Sequence, residues 1–270
     1  MKKTEIEILP FLKWAGGKRW LALRHRGLLP IRFARYIEPF LGSGAMYFAL
    51  KPKQAILSDL NEELITTYLG VRSDPQRVQQ ELTKHHQNHC PEYYYQMRRY
   101  RPRAAYTRAA RLIYLNRTCW NGLYRVNLRG EFNVPIGTKT NAVLQTDDFP
   151  TVSSLLAGAD IVKADFETTI DRAVKGDFLF VDPPYTVKHN HNGFVKYNET
   201  LFSWDDQIRL SEALIRAKNR GASILMTNAD HQSVRDLYRR KFEFMSIERN
   251  SVISGTLLGR SPCRELIIRG

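Results

Sequence analysis

The sequence has little cysteine, and its few cysteines lie far apart. Only Cys90, Cys119 and Cys263 occur among 270 residues, and none forms a Cys-x-x-Cys pair. Small secreted proteins that depend on a disulfide framework show denser and more regular spacing. That class is therefore excluded, and reduced thiols with a structural role are expected.

Long hydrophobic runs are also missing. No segment approaches the run of about 18 apolar residues that a membrane-spanning helix needs. The first ten residues, MKKTEIEILP, carry lysines without a long apolar stretch after them, so a secretory signal is not expected. We therefore expect a cytoplasmic protein that does not contact membranes.

Acidic residues are scarce in one part of the chain. Residues 71–130 contain twelve lysines and arginines but only three acidic residues, a net charge of +9, and the whole chain carries +14. Concentrated positive charge attracts a polyanion, and nucleic acid is the commonest polyanion that a soluble protein meets. A merely solvated basic surface is the competing interpretation.

A phosphate-binding glycine loop is absent as well. The apolar run RYIEPF ends in the turn LGSG, which lacks both the G-x-G-x-x-G spacing and the Gly-Lys-Ser of a phosphate loop. A helical stretch, AMYFALK, follows, and a second apolar run, QAILSD, ends at Asp59. This order is typical of a mononucleotide-binding half of a parallel α/β sheet. Gly42 and Gly44 permit a tight turn, and Asp59 can accept hydrogen bonds from ribose hydroxyls, so a nucleoside ligand without phosphates is expected.

The α/β pattern is interrupted in the middle of the chain. Residues 62 to about 120 predict helices only, notably over 106–117, and VNLRGEFNV at 126–134 predicts a β-hairpin. The alternation resumes with strands at DIVKAD and DFLFVD, a helix over 204–220, a strand at ASILMT, a helix from 231 and two final strands. We therefore predict an α/β domain formed by 1–61 and 150–270, with a mostly helical, basic insertion at 62–149.

The stretch VDPPYT, residues 181–186, ends an apolar run with a carboxylate, two prolines and an aromatic residue. Consecutive prolines give up two backbone donors, so they end a strand and hold the chain rigid. The Asp182 carboxylate, the Pro183 carbonyl and the Tyr185 ring are then expected to point into one cleft. This set suits a planar heterocycle with an exocyclic amino group, because two acceptors take its N–H donors while the ring stacks on its face.

Such an amine is a poor nucleophile because conjugation delocalises its lone pair into the ring. Acceptors that hold both hydrogens draw the lone pair out towards an electrophile and stabilise the positive charge that develops on nitrogen. Asp182 is therefore expected to orient and stabilise more than to act as a base. A nucleoside-like ligand with an activated methyl group, held by the Gly42 and Asp59 half-site, would supply the electrophile in line.

The motifs together resemble those of the Dam-type DNA adenine methyltransferases. FLKWAGGK, EPFLGSG, SDLNEELI, LNRTCWNGLYRVNLRGEFNVPIG, DPPY and RNSVISG occur in the family's order and cover nearly the whole chain. The resemblance implies a Rossmann-like methyltransferase sheet whose insertion recognises double-stranded DNA. It also implies S-adenosylmethionine as the cofactor, S-adenosylhomocysteine as its product, and the 6-amino group of adenine as the acceptor.

The resemblance further implies the residues of the cofactor and catalytic sites. Trp14 and Lys18 are expected against the cofactor, Asp59 at its ribose, and Asp165 with Phe166 beside its adenine. The implied cofactor-binding residues are Trp14, Lys18, Glu38, Pro39, Phe40, Gly42, Gly44, Asp59, Asp165, Phe166 and Asp182. The implied catalytic residues are Asp182, Pro183, Pro184 and Tyr185. From the residues alone, Trp14 is equally a loop residue that packs into the core, and Asp59 is also a good helix N-cap.

In the insertion, the family's hairpin enters DNA. The implied DNA-binding residues are Lys13, Trp120, Asn121, Leu123, Arg125, Asn127 and Asn133. Arg125 suits a bidentate contact to guanine in the major groove, and Trp120 suits the space left by a flipped base. Flipping is required because the amine of a stacked, paired adenine is out of reach. Related enzymes methylate GATC, but Trp120 replaces a tyrosine and TVKHNHNGF differs from the family's loops, so the target sequence is open.

Several questions stay open at this stage. KHHQNHC, residues 84–90, brings three histidines and a cysteine together, but its spacing matches no common zinc pattern and no metal is expected. The roles of His85, His86, His89, His189 and His191 are undecided. Methylation of a cytosine amine or of adenine in RNA keeps the same chemistry, and a catalytically silent nucleic-acid-binding relative is the non-enzyme alternative. We expect a monomer that associates with the nucleoid through DNA.

Overall fold

The computed structural model describes residues 8–14, 16–127, 129–187, 202–250 and 262–270, and the side chains of residues 249, 250, 262 and 263 are not described. Two sequence features fall outside this part of the chain. They are the loop that carries His189 and His191, and the motif RNSVISG beyond residue 250.

The described residues form ten α-helices and seven β-strands. The strands are β1 (Tyr36–Glu38), β2 (Ala55–Asp59), β3 (Ala159–Lys163), β4 (Phe178–Val181), β5 (Ser223–Ala229), β6 (Glu243–Asn250) and β7 (Pro262–Arg269). The helices are α1 (Arg19–Arg24), α2 (Ala45–Leu50), α3 (Glu62–Ser73), α4 (Pro75–Gln87), α5 (Pro91–Arg99), α6 (Ala105–Thr118), α7 (Phe149–Leu156), α8 (Phe166–Ile170), α9 (Trp204–Asn219) and α10 (Gln232–Tyr238). Short 3₁₀ turns lie at Arg26–Leu28 and Trp120–Gly122.

The strands belong to a seven-stranded mixed sheet, which confirms the predicted Rossmann-like α/β fold class. The chain divides into two compact units: Met1–Arg26 with Leu41–Lys163, and Gly27–Phe40 with Ala164–Gly270. Because this division reflects compactness and not function, the predicted boundaries of the recognition domain remain a prediction.

In the first unit, β2 and β3 pair in parallel from Ala55 with Ala159 to Asp59 with Lys163. Helix α3 packs on these strands and against α4, α6 and α7. Four consecutive helices, α3 to α6, confirm the helical character predicted for residues 62 to about 120. Val126 bridges Phe132, and the Asn127 amide donates to the Glu131 carbonyl at 2.9 Å, so the predicted hairpin is present.

In the second unit, β1, β4 and β5 are parallel neighbours, and β7 and β6 continue from β5 in antiparallel pairing. Strand β4, Phe178–Val181, is buried along its whole length, as a continuous apolar run in a parallel sheet predicts. Helix α9 has Ser203 as its N-cap, and the Ser203 side chain forms the predicted capping box with Asp206. None of the helices in the described ranges is long and apolar enough to cross a membrane.

Candidate cofactor, catalytic and nucleic-acid sites

In the first unit, the glycine turn is held in a shape that only glycine adopts easily. Gly42 and Gly44 have φ angles of 47° and 61°, in the left-handed region. The Leu41 amide donates to the Ser58 carbonyl at 2.9 Å, which fastens the turn to β2. A Cβ atom on Gly42 would lie 2.9 Å from Cδ1 of Trp14. The turn therefore brings its backbone directly against an indole ring.

Trp14 also contacts a residue that the sequence did not single out. The Trp14 and Tyr124 rings are stacked, with centroids 5.1 Å apart and an interplanar angle of 23°. The Tyr124 hydroxyl lies 3.4 Å from Oδ1 of Asn61. Trp14 is only half-buried, so it is more than a core residue and can offer part of its surface to a ligand.

Asp59 lies at the carboxyl end of β2, with its carboxylate held by backbone donors. Oδ2 accepts from the Gly42 amide at 3.2 Å, and Oδ1 accepts from the Asn61 amide at 3.0 Å. Burial raises the pKa of Asp59 above its usual 3.8, and these backbone N–H groups oppose the shift. The N-cap of α3 is Asn61, whose side chain accepts from the Leu64 amide. The alternative that Asp59 caps this helix is therefore wrong.

Lys18 precedes α1 in the same unit and is buried. Its Nζ donates to the Gly16 carbonyl at 2.6 Å, and its exposed fraction is 3%. A Cβ atom on Gly17 would lie 3.7 Å from the Ser43 hydroxyl oxygen, so the GGK segment runs close to the glycine turn. The structure thus brings together Trp14, Lys18, Gly42, Gly44 and Asp59.

In the second unit, an aromatic cluster surrounds Phe166. Phe40 stacks on Phe166 with centroids 5.5 Å apart, and Phe202 contacts both rings at 5.6 and 5.5 Å. The Arg209 guanidinium lies 4.8 Å from the Phe166 ring centroid. Phe40 is half-buried, so this cluster presents part of a flat apolar face.

Asp165, beside Phe166, has two structural partners. Its Oδ1 accepts from the Glu167 amide at 2.9 Å as the N-cap of α8, and from Nη2 of Arg209 at 3.0 Å. Arg209 also pairs with Glu167 and Asp206. Residues Glu38 and Pro39 are buried at the end of β1, and the Tyr36 hydroxyl lies 2.9 Å from Glu38 Oε2.

The motif DPPY follows the buried strand β4 directly. Asp182 Oδ1 accepts a hydrogen bond of 2.6 Å from the hydroxyl of Thr227 in β5. Pro183 is buried, whereas Asp182, Pro184 and Tyr185 are half-buried. The next residue, Thr186, donates its hydroxyl to the Phe202 carbonyl at 2.6 Å. The end of the motif is therefore fastened to the aromatic cluster.

The predicted base-contacting residues of the first unit lie on an exposed, glycine-containing turn. Trp120 is 52% exposed and Leu123 is 36% exposed, although both are large and apolar. Asn121 and Gly122 have φ angles of 55° and 66°. The Trp120 amide donates to the Pro135 carbonyl at 2.9 Å, which holds the turn against the segment after the hairpin. Exposed apolar side chains on a fixed turn suit contact with a partner.

Lys13 is bound to this turn. Its amide donates to Asn116 Oδ1 at 2.8 Å, and Asn116 Nδ2 returns a hydrogen bond to the Lys13 carbonyl at 2.9 Å. A Cβ atom on Gly122 would lie 2.6 Å from Cδ of Lys13, so the lysine stem rests on the glycine. Partial burial, followed by the neighbouring Lys139, lowers the pKa of Lys13 to about 8.

The remaining predicted DNA contacts are paired within the hairpin. Arg125 Nε donates to Asn133 Oδ1 at 2.8 Å, and Asn127 Nδ2 donates to Glu131 Oε2 at 2.9 Å. Arg125 is exposed, so Asn133 orients its guanidinium without covering it. The structure therefore places all seven predicted contacts, from Lys13 to Asn133, in the first unit.

Two of the three histidines of KHHQNHC, His85 and His89, contact tyrosine hydroxyls. His85 Nδ1 lies 2.7 Å from the Tyr93 hydroxyl, and His89 Nδ1 lies 2.8 Å from the Tyr114 hydroxyl. Burial lowers the pKa of His85 to about 4. Within the described ranges, no group of three or more histidine, cysteine or acidic side chains could hold a metal ion.

Four residues around these sites were not found from the sequence: Asn61, Tyr124, Arg209 and Thr227. Asn61 precedes the acidic first turn of α3 and is a standard N-cap type, so a local signal existed. Tyr124 and Thr227 act through tertiary contacts between distant segments, for which one sequence carries no signal. The same holds for Arg209 in its contacts with Asp165 and Phe166.

Comparison with known proteins gives a consistent result. Residues 14–253 match the family model of D12 class N6 adenine-specific DNA methyltransferases. The chain is 32% identical to the type II methyltransferase M1.LlaDCHI of Lactococcus lactis subsp. cremoris, over 99% of this chain and 97% of that protein. It is 34% identical to the type II methyltransferase M.MjaIII of Methanocaldococcus jannaschii, over 90% and 91%. It is also 31% identical to the DNA adenine methylase of Escherichia coli K12, over 91% and 90%.

Proposed function

Since the chain belongs to the D12 class of N6 adenine-specific DNA methyltransferases, we propose that it transfers a methyl group from S-adenosylmethionine to the 6-amino group of an adenine flipped out of duplex DNA. The family membership makes the protein an enzyme that methylates adenine in DNA, and it favours this activity over the cytosine, RNA and catalytically silent alternatives. One observation carries the rest of the proposal: the motif DPPY leaves a fully buried strand with its carboxylate already held by a hydrogen bond.

In the first unit, the residues around the glycine turn fit the methionine and ribose parts of the cofactor. The Asp59 carboxylate accepts from the backbone amides of Gly42, Asn61 and Leu60, and because a carboxylate has about four acceptor sites it can still accept from a ribose hydroxyl. Backbone close to Gly42 and Gly44 can approach a ligand because neither residue has a side chain. Trp14 and the buried Lys18 would complete this part of the site.

In the second unit, the aromatic cluster fits the cofactor's adenine. Phe40 and Phe166 offer flat faces for stacking, and Arg209 holds Asp165 beside them. Glu38 and Pro39 end the strand that precedes Phe40. The role of Asp165 is then to accept from a polar edge of the purine while the hydrogen bond from Arg209 orients its carboxylate.

S-adenosylmethionine supplies, when bound, an electrophilic methyl group on a positively charged sulfur. Asp182 and the Pro183 carbonyl hold the two N–H groups of the target amine, and Tyr185 stacks on the base. These acceptors would turn the nitrogen lone pair outward and stabilise the positive charge that develops on nitrogen when it takes the methyl group, whose bond to sulfur is given up so that S-adenosylhomocysteine leaves. One N–H proton then leaves along the hydrogen bond that already holds it, towards Asp182 or solvent.

The exposed turn and hairpin of the first unit would read the DNA. Trp120 fills the space that the flipped base leaves, and Leu123 contacts a neighbouring base. Arg125, oriented by Asn133, donates to a guanine in the major groove. Lys13, Asn121 and Asn127 supply further base or phosphate contacts. We propose GATC as the target to test first, and a monomer acting on cytoplasmic DNA.

Mapping of modified bases tests this function. Unmethylated genomic DNA incubated with the purified protein and labelled S-adenosylmethionine should yield N6-methyladenine within one short sequence. Label in cytosine, or adenine methylation without sequence preference, would contradict the proposal. An RNA of the same sequence is the matched substrate control.

A further inference from the structure

Thr227 lies beside the proposed catalytic carboxylate because of the sheet register. Phe180 pairs with Leu225 and Val181 with Met226 in the parallel strands β4 and β5. The next step along each strand places Asp182 opposite Thr227, with both side chains on the same face. The 2.6 Å hydrogen bond between Thr227 Oγ1 and Asp182 Oδ1 is the consequence.

The threonine itself is immobilised more strongly than the aspartate. Thr227 has an exposed fraction of 0%, and its backbone is paired with β7 opposite Ile267. A β-branched side chain in a buried strand has little freedom at χ1. The neighbouring residue, Asn228, is also fully buried and bonds its own strand through the Ala229 amide at 2.8 Å. Asp182, by contrast, is half-buried and follows the end of its strand.

We propose that Thr227 is a positioning residue, whose hydroxyl fixes the orientation of the Asp182 carboxylate towards the target amine. This inference rests on the proposed role of Asp182. A carboxylate turns about its Cβ–Cγ bond unless something holds it. The Thr227 hydroxyl donates its hydrogen to Asp182 Oδ1, because a carboxylate oxygen can only accept. This hydrogen bond fixes the plane of the Asp182 carboxylate. The threonine exchanges no proton with substrate and touches no reacting atom.

Loss of this hydrogen bond should slow the methyl-transfer step and leave substrate binding largely unchanged. Geometry that is held in advance lowers the barrier without strengthening ground-state binding. Thr227→Val keeps the shape and the branching but removes the donor. We expect kcat to fall by about 10- to 100-fold, since a hydrogen bond to a charged group is typically of that strength. The KM for duplex DNA and the Kd for S-adenosylhomocysteine should stay within about twofold of wild type.

A pair of smaller variants keeps the test informative if the valine variant does not fold. Thr227→Ser and Thr227→Ala differ by one oxygen atom, so any difference in kcat between them reports the hydroxyl. We expect the serine variant to retain most of the wild-type kcat and the alanine variant to resemble valine. Equal kcat values for serine and alanine would overturn the inference.

Two further variants separate this inference from the proposed function. Thr67 is a fully buried threonine in α3 whose hydroxyl donates to the Glu63 carbonyl at 2.7 Å. Thr67→Val therefore loses a similar bond away from the site, and its kcat should be unchanged. If Asp182→Ala is inactive while Thr227→Val has wild-type kcat, the positioning role is wrong and the function stands. If Asp182→Ala keeps full activity, the catalytic role of Asp182 is wrong and this inference falls with it. If the wild-type protein transfers no methyl group to adenine in DNA, the proposed function itself fails.

Discussion

Gly42 and Trp14 are packed so closely that the glycine has no room for a side chain. The added Cβ would lie 2.9 Å from Cδ1 and 3.3 Å from Nε1 of the indole ring. The φ of 47° independently disfavours any L-residue at this position. The close packing of the Trp14 indole against this turn therefore requires glycine at position 42.

Gly42→Ala should weaken cofactor binding by about tenfold or more, because strain of about 1–2 kcal/mol adds to displacement of the ring. Calorimetric titration with S-adenosylhomocysteine measures the effect. The matched control is Gly176→Ala, since Gly176 also has a positive φ of 88° but only an ordinary contact, 3.8 Å, for its added Cβ. Equal affinity in both variants would argue against a cofactor role for the turn.

Asp59 should make the affinity for the cofactor decrease at acid pH. Its pKa is raised by burial, and only the ionised form offers both oxygens to ribose hydroxyls. Affinity for S-adenosylhomocysteine should fall as the pH drops through this raised pKa, above the ordinary value of 3.8. The raised pKa of Asp59 also affects the free energy of unfolding. Its stabilising contribution is fully present below the pKa of Asp59 in the unfolded chain and is lost as the pH rises through the pKa of Asp59 in the folded protein. Asp59→Asn should abolish the pH dependence of cofactor affinity and that of stability. If the affinity of Asp59→Asn still falls at acid pH, another group is responsible for that fall.

Lys13 should make the affinity for DNA decrease at alkaline pH. Its pKa of about 8 means that the free protein loses this charge as the pH rises through that value. Affinity for a short target duplex, followed by fluorescence anisotropy at constant salt, should fall between about pH 7 and 9. Lys13→Arg should flatten the curve because guanidinium stays protonated. Lys139→Ala should shift the loss of DNA affinity to higher pH. If wild type, Lys13→Arg and Lys139→Ala show the same dependence of DNA affinity on pH, Lys13 does not contact DNA.

Arg117 and Asp147 should be essential for the stability of the first unit. The guanidinium donates to both carboxylate oxygens at 2.6 and 2.7 Å and also bonds the Phe11 and Ala142 carbonyls. Both side chains are at most 5% exposed. Removing one member of such a pair leaves an uncompensated buried charge, so Asp147→Asn should lower the free energy of unfolding by about 3–5 kcal/mol. The control is Lys84→Met, which removes the exposed pair with Glu81 and should leave urea denaturation unchanged.

Much of the fold was predictable because local signals agreed with it. The apolar run before Asp182, the capping box at Ser203 and the glycine turn at Gly42 each determine local backbone geometry, and the structure places strand, helix and turn there. Apolar spacing likewise revealed the helical insertion, because α6 is buried along most of its length.

The side-chain contacts that complete the sites were beyond the reach of one sequence. Tyr124 stacks on Trp14 across 110 positions of sequence, and Thr227 reaches Asp182 across 45. Such pairs depend on strand register and helix packing, which are set by the whole chain. Arg209 had a partial signal, since its spacing from Asp206 in α9 predicts an ion pair, but its position over Phe166 did not follow from spacing.

The most direct test of the central claim compares methyl transfer and DNA binding in wild type and Asp182→Ala. Both proteins are incubated with the same unmethylated duplex and labelled S-adenosylmethionine, and incorporation and duplex affinity are measured in parallel. The corner formed by Asp182, Pro183 and Tyr185 predicts that the variant binds DNA with nearly unchanged affinity and transfers no measurable methyl. Wild-type incorporation by Asp182→Ala would contradict the account.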